Sequence, residues 1–165
     1  MPQDFNSLVS DLTCDDVIKC QKARRQLVDM GMDAIPTLIK ALGNKRHWVR
    51  WEAAKALTQI GDDHATAALI SALRDDEFDV RWLAAEGLIV LGRKALIPLL
   101  NALIENADSQ EMRDGTHHIL HDMNRNGIHR ILRPVMKALE STDPALEVPA
   151  AAHQAVEELT EKLKS

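Results

Sequence analysis

The nonapeptide VRWEAAKAL at residues 49–57 recurs as VRWLAAEGL at residues 80–88, and this repeat is the strongest indication of the fold. A second pair of segments is related over about two such periods, because AIPTLIKAL at 34–42 resembles ALIPLLNAL at 95–103. A weaker copy of the nonapeptide pattern follows, in which Met112 occupies the position of Val80. Sequence periods of 20–50 residues are typical of solenoids and propellers, in which one structural unit is stacked many times.

Each unit has the pattern of two helices joined by a tight turn. Apolar residues such as Val80, Leu83, Leu88 and Leu91 mostly follow the three-and-four spacing of an α-helix and not the alternation of a strand. Glycines follow the expected helix ends, where a left-handed residue is favoured: Gly31, Gly61, Gly92 and Gly127.

We therefore predict an all-α, right-handed α-α solenoid of about four helical hairpins plus terminal helices, in a single domain over residues 1–165. The hairpins are expected at about 15–43, 46–74, 77–105 and 109–140, with an N-terminal helix at 4–12 and a closing helix at 146–164. A hairpin cannot bury its apolar faces alone, so adjacent units must stack into a continuous core.

The composition predicts an aliphatic core, since aromatic residues make up only 3% of the 165 residues, with three Trp, two Phe and no Tyr. The following residues are expected in that core: Ala23, Leu27, Ile35, Leu38, Leu42, Ala53, Leu57, Leu69, Leu73, Ala84, Leu88, Leu99, Leu103, Leu120, Val135 and Leu139.

Charge, cysteine content and hydropathy exclude several classes of function. The formal net charge of −5 lacks the basic footprint of a nucleic-acid-binding domain, so nucleic acid is not expected as a partner. The two cysteines, Cys14 and Cys20, are too few for a disulfide framework, which favours a reducing cytoplasm. The longest apolar stretches, such as residues 95–104, are too short to span a membrane.

The units VRWEAAKAL…IGD…ALISAL and VRWLAAEGL…LG…LIPLLNAL resemble HEAT repeats, specifically the short HEAT-like repeats first associated with phycobilisome lyases. The resemblance covers roughly residues 15–140 and implies the fold but no single activity. Proteins of this type include bilin lyases, phycobilisome-degradation factors, a di-iron hydroxylase and interaction scaffolds. The hydroxylase would require repeated His-Glu dipeptides, and this sequence has none.

Equivalent positions of the first helices form two series across the units. Arg50, Arg81 and Arg113 are expected to tie loops and adjacent units together, as the resemblance to HEAT repeats implies. Trp51 and Trp82 permit two interpretations. They pack between neighbouring helices, or with Ala54, Ala85 and Ile89 they form an exposed apolar patch that anchors a protein partner.

The second helices place polar residues opposite their core positions, among them Lys40, Asn101 and Lys137. This surface is expected on the concave side of the solenoid. It is either a solvated face of mixed charge or a groove that binds an acidic peptide.

Four potential metal ligands share one helix face: Asp114, His117, His118 and His121. Histidines four residues apart can bind a divalent metal together with a carboxylate. The motif lacks the glutamate of HExxH, so solvated histidines are the other interpretation.

No phosphate-binding loop, GxSxG elbow or HExxH motif is present. We therefore predict a non-enzymatic protein-interaction scaffold or regulatory binding module that has no cofactor and binds another protein. The polar closing helix favours a monomer. One alternative, implied by the resemblance, is a bilin-lyase-type lyase or chaperone subunit that binds a linear tetrapyrrole. A metal-binding protein using the Asp114, His117 and His121 face is the other.

Overall fold

The computed structural model describes residues 5–13, 16–123 and 128–164, and helices joined by short turns make up most of them. These residues contain ten α-helices and no strand: α1 (Phe5–Leu12), α2 (Val17–Asp29), α3 (Ile35–Leu42), α4 (His47–Ile60), α5 (Thr66–Ala72), α6 (Phe78–Leu91), α7 (Arg93–Glu105), α8 (Gln110–Met123), α9 (His129–Leu139) and α10 (Pro144–Lys164). Short 3-10 helices at Gly31–Ala34 and Asp63–Ala65 lead into α3 and α5. The predicted all-α fold class is confirmed.

The four segments predicted as hairpins contain, in order along the chain, the helix pairs α2 and α3, α4 and α5, α6 and α7, and α8 and α9. Their ends lie within two residues of the predicted bounds. The closing helix α10 begins at Pro144, two residues earlier than predicted. Proline is well tolerated in the first turn, where its missing N–H leaves no intrahelical bond unmade.

The chain groups into two compact units, Met1–Val90 and Leu91–Ser165. In the first unit, α2 packs against α1 and α4, and α4 also packs against α3. In the second unit, α10 packs against both α7 and α9. The single domain over residues 1–165 stays a prediction.

The turn after α4 shows why glycine recurs at the helix ends. Gly61 has a φ of 64° and a ψ of 32°, and its N–H donates to Leu57 O at 3.0 Å, which closes the last turn of α4. A left-handed backbone of this kind is unstrained for glycine only. Gly31 and Gly92 also have positive φ values, whereas the predicted turn at Gly127 lies outside the described residues.

The core is aliphatic, as the composition predicts, and all but two of the residues expected there are buried. Leu42 and Leu139 are only half-buried. Each is the last residue of its helix, α3 or α9, so no further turn covers its side chain.

A buried ion pair between α2 and α4 was not predicted from the sequence. Arg24 Nε donates to Glu52 Oε2 at 2.7 Å, and Arg24 Nη1 donates to Gln59 Oε1 at 2.6 Å. Only 7% of Arg24 and 1% of Glu52 are exposed. Removing one partner of such a pair would leave an uncompensated buried charge, so the two residues constrain how α2 packs on α4.

At Gly87, α6 packs closely against α4 and α5. A Cβ atom at this position would lie 2.8 Å from Thr58 Oγ1 and 2.9 Å from Leu69 Cδ1. Thr58 Oγ1 is itself held at 2.9 Å from Ala54 O and 3.0 Å from Leu83 O. The equivalent position of the preceding repeat is Ala56, so the difference between VRWEAAKAL and VRWLAAEGL has a packing cause.

We expect Gly87→Ala to lower the free energy of unfolding by about 1–3 kcal/mol, because overpacking outweighs the higher helix propensity of alanine. Urea denaturation followed by circular dichroism measures the change. Gly43→Ala is the matched control, since its Cβ would meet only Lys40 O at 3.5 Å, and we expect it to be nearly neutral. A Gly87→Ala variant more stable than wild type would show that α6 has room at this point.

Candidate interaction surface

An arginine near the start of three first helices binds the loop that precedes its own helix. Arg50 Nη1 donates to Asn44 O at 3.0 Å, Arg81 Nη1 to Asp75 O at 2.8 Å, and Arg113 Nη1 to Ala107 O at 2.6 Å. In each case the acceptor lies six residues before the arginine. The recurring contact satisfies loop carbonyls that the helices leave without a partner.

Arg50 also joins α4 to the start of the next hairpin. Its Nε and Nη2 atoms donate to the two carboxylate oxygens of Asp75 at 2.7 and 2.9 Å. Two parallel, charge-assisted hydrogen bonds fix direction as well as distance. Asp75 therefore accepts hydrogen bonds from Arg50 at its carboxylate and from Arg81 at its backbone carbonyl. These bonds connect α4, the intervening loop and α6.

The ionisation of this pair reflects its geometry. Burial alone would raise the pKa of Asp75, but hydrogen bonds from Arg50 and from the Glu77 N–H outweigh burial, so the pKa lies below its ordinary value. The hydrogen bond to Asp75 raises the pKa of Arg50. Both groups are charged at neutral pH.

Two further contacts set α4 beside α6. His47 Nε2 lies 2.9 Å from Asp79 Oδ2 where the two helices begin, and Thr58 Oγ1 lies 3.0 Å from Leu83 O further along. The equivalent faces of α4 and α6 are thus neighbours within the first unit.

The exposed side of α4 begins with a stacked pair of tryptophans. The rings of Trp48 and Trp51 are nearly parallel, with an interplanar angle of 9° and centroids 4.8 Å apart. Lys55 Nζ lies 4.4 Å from the centroid of the Trp51 ring, one helical turn further on. This distance is typical of a cation–π interaction.

The exposed side of α6 has a second aromatic pair at the same end of the helix. The rings of Phe78 and Trp82 have centroids 6.2 Å apart and are tilted by 38°. The guanidinium of Arg81 lies 5.7 Å from the centroid of Phe78. We call Trp48, Trp51, Phe78 and Trp82 together the aromatic surface.

The aromatic surface is open to solvent. The exposed fraction of the residue's surface is 38% for Trp48, 67% for Phe78 and 46% for Trp82, and Trp51 is half-buried. The chain has three tryptophans and two phenylalanines, so every tryptophan lies here and none in the core.

The structure brings only part of the predicted Trp patch to the surface. Trp82 is exposed and Ile89 is half-buried, but the neighbouring Ala54 and Ala85 are buried and cannot contribute. Trp48 and Phe78 are exposed beside the two tryptophans instead, and neither was predicted from the sequence. One turn separates Trp48 from Trp51 and Phe78 from Trp82, and this spacing could have identified them.

Lys40, Asn101 and Lys137 are exposed, as expected of the polar side of the second helices. Lys40 belongs to the first unit, and Asn101 and Lys137 belong to the second. Lys40 lines a cleft of about 570 Å³ near the end of α3. In the second unit, a groove of about 630 Å³ between α9 and α10 has a lining of mixed charge that includes Arg130, Glu158 and Glu161.

The four residues of the predicted metal-binding face do not converge. No three of their ligand atoms lie within 4.8 Å of one another, and His117 Nε2 is instead 3.0 Å from Glu140 Oε1. Metal binding on this face stays a prediction.

Two other groups within the described residues place potential ligand atoms within 4.8 Å: His47, Glu77 and Asp79, and Asp62, Asp63 and His64. A hydrogen bond already pairs His64 Nδ1 with Asp62 Oδ1 at 2.6 Å, and it raises the pKa of His64.

Comparison with known families identifies the class of repeat. A family model described as HEAT repeats matches residues 8–89, which span α4, α6 and the whole aromatic surface. The match and the helix pairs of this part of the chain together define two-helix repeats of the HEAT type. The chain is a HEAT-like repeat protein.

A comparison with curated proteins gives no significant match. The resemblance to phycobilisome-lyase repeats is therefore not shown, and the bilin-lyase alternative stays an expectation of that resemblance. None of the described helices combines the length and hydrophobicity of a membrane span.

We expect Asp75→Asn to destabilise the protein by about 1–3 kcal/mol at neutral pH, because the charge-assisted bonds to Arg50 are lost. The folded-state pKa of Asp75 is lowered, so the contribution of the ion pair is complete above the unfolded pKa near 3.8. It is lost as the pH falls through the lower folded-state value. Thermal unfolding from pH 7 downward measures the difference between wild type and variant. A difference that does not shrink in acid would contradict an ionised Asp75.

Proposed function

We propose that this protein is a non-enzymatic interaction module that binds a protein partner through the aromatic surface. HEAT repeats commonly mediate binding between proteins. The observation that supports this role most strongly is the position of the tryptophans. A chain with an aliphatic core has all three of them on one exposed side of two neighbouring helices.

The energetics of the aromatic surface are those of an interface and not of a core. Tryptophan is the residue most enriched among binding hot spots, because a large rigid ring buries much area at a low cost in conformational entropy. Clustered exposed rings of this size cost solubility when no partner covers them, and isolated exposed apolar residues do not.

The charged groups around the rings favour a partner that is apolar at its centre and polar at its edge. Lys55 and Arg81 lie over aromatic rings, where each presents N–H donors beside an apolar face. Such a rim is typical of protein interfaces, in which polar groups surround a desolvated centre.

The finer features of the proposal follow from the sequence. The small number of cysteines supports a cytoplasmic location.

The test compares capture of partners by wild type and by a Trp48→Ala/Trp82→Ala variant, each immobilised and exposed to lysate of the source cells. We expect a specific partner to bind the wild type and to bind the variant at least about tenfold more weakly, the loss typical of hot-spot residues. Quantitative mass spectrometry of the captured proteins gives the ratio.

The matched control is Ile18→Ala/Leu146→Ala, which truncates two apolar residues outside the aromatic surface that are more exposed than Trp48 and Trp82. We expect it to retain the partner. Retention of the partner by the Trp48→Ala/Trp82→Ala variant would contradict the proposal. So would a loss of more than about 3 kcal/mol in its unfolding free energy, because exposed side chains that do not hold the fold together cost much less.

A further inference from the structure

We infer that the cleft near the end of α3 binds an acidic peptide segment. Its described lining residues come from α1, from α3 and from the loop before α4: Val9, Thr37, Lys40, Ala41, Gly43, Asn44, Lys45 and Arg46. We call this the basic cleft. The inference deepens the proposed function by naming a chemical class of partner, and it concerns residues outside the aromatic surface.

The charge of the basic cleft has one sign. Lys40, Lys45 and Arg46 are all exposed, and no carboxylate is among the described lining residues. The ammonium groups of Lys40 and Lys45 form no ion pair with any described residue. A protein of net charge −5 thus leaves a local concentration of positive charge uncompensated.

The loop that supplies Lys45 and Arg46 is held in place before any ligand binds. Arg46 N donates to Asn44 Oδ1 at 2.9 Å, and Arg46 Nη1 donates to Thr13 O at 2.6 Å. Arg50 Nη1 holds the carbonyls of Asn44 and Lys45 at 3.0 and 3.3 Å. A preorganised site loses less conformational entropy on binding than a mobile one.

The size and remaining lining of the cleft suit a short segment of chain. A volume of about 570 Å³ lies within the range of sites that hold small ligands. The Thr37 hydroxyl and the Asn44 amide offer hydrogen bonds, and the half-buried Val9 offers apolar contact. Glutamate and aspartate side chains match this combination, since each has an aliphatic stem and a charged head.

A nucleic acid fits the same surface less well. Its described lining has no aromatic ring on which a base could stack, and three cations are few for a phosphate backbone.

The test measures binding of a fluorescein-labelled octaglutamate peptide by fluorescence anisotropy, with octalysine and octathymidylate as comparison probes. We expect wild type to bind octaglutamate in preference to both, and more weakly as salt is raised to about 0.3 M, because salt screens exposed charges. We expect Lys40→Glu/Lys45→Glu to weaken binding at least about tenfold.

Three controls separate this inference from folding and from the aromatic surface. Lys137→Glu/Lys164→Glu makes the same change in net charge in the second unit and should bind octaglutamate like wild type, as should Lys40→Arg/Lys45→Arg. The Trp48→Ala/Trp82→Ala variant should also bind it like wild type, so the basic cleft and the aromatic surface can fail independently. Circular dichroism shows that each variant is folded.

Any of three results would overturn the inference. They are no octaglutamate binding by wild type at low salt, equal binding by Lys40→Glu/Lys45→Glu, or binding of octathymidylate as tight as that of octaglutamate. The last result would assign the basic cleft to nucleic acid instead.

Discussion

Asp75 is the residue on which the position of the aromatic surface depends. Its carboxylate receives two hydrogen bonds from Arg50 of α4, and its carbonyl receives one from Arg81 of α6. The aromatic pairs lie beside these arginines along the chain, with Trp48 and Trp51 around Arg50. The contacts that satisfy the loop carbonyls therefore also set the two pairs of rings on neighbouring helices. A partly buried pair joined by two hydrogen bonds provides this precision, whereas a fully exposed ion pair contributes little.

The helices and turns could be predicted well from the sequence because the same residue pattern recurs in several repeats. Val49 and Val80 are both buried, Gly61 and Gly92 both have positive φ, and the hairpins lie within two residues of their expected places. A turn or an apolar stripe is decided by residues close together in the chain, so pattern and spacing suffice to find it.

The tertiary contacts that break the repeat could not be predicted in this way. Glu52 is buried against Arg24, although its equivalent in the next unit is the apolar Leu83. Gly87 replaces Ala56 because of Thr58 and Leu69, which lie on other helices. The Trp51 and Trp82 positions were found from the period, but their exposure depends on how neighbouring helices cover them. Trp48 and Phe78, by contrast, lie one helical turn from Trp51 and Trp82, so this spacing could have identified them.

Tryptophan fluorescence tests whether the aromatic surface is uncovered in the free protein. The chain has no other tryptophans and no tyrosine, so the emission comes from this surface. We expect the native protein to emit at a longer wavelength than buried indoles do, and acrylamide to quench most of the emission without unfolding. A blue-shifted emission that acrylamide quenches only after denaturation would contradict the account, because the tryptophans would then be covered by the protein itself.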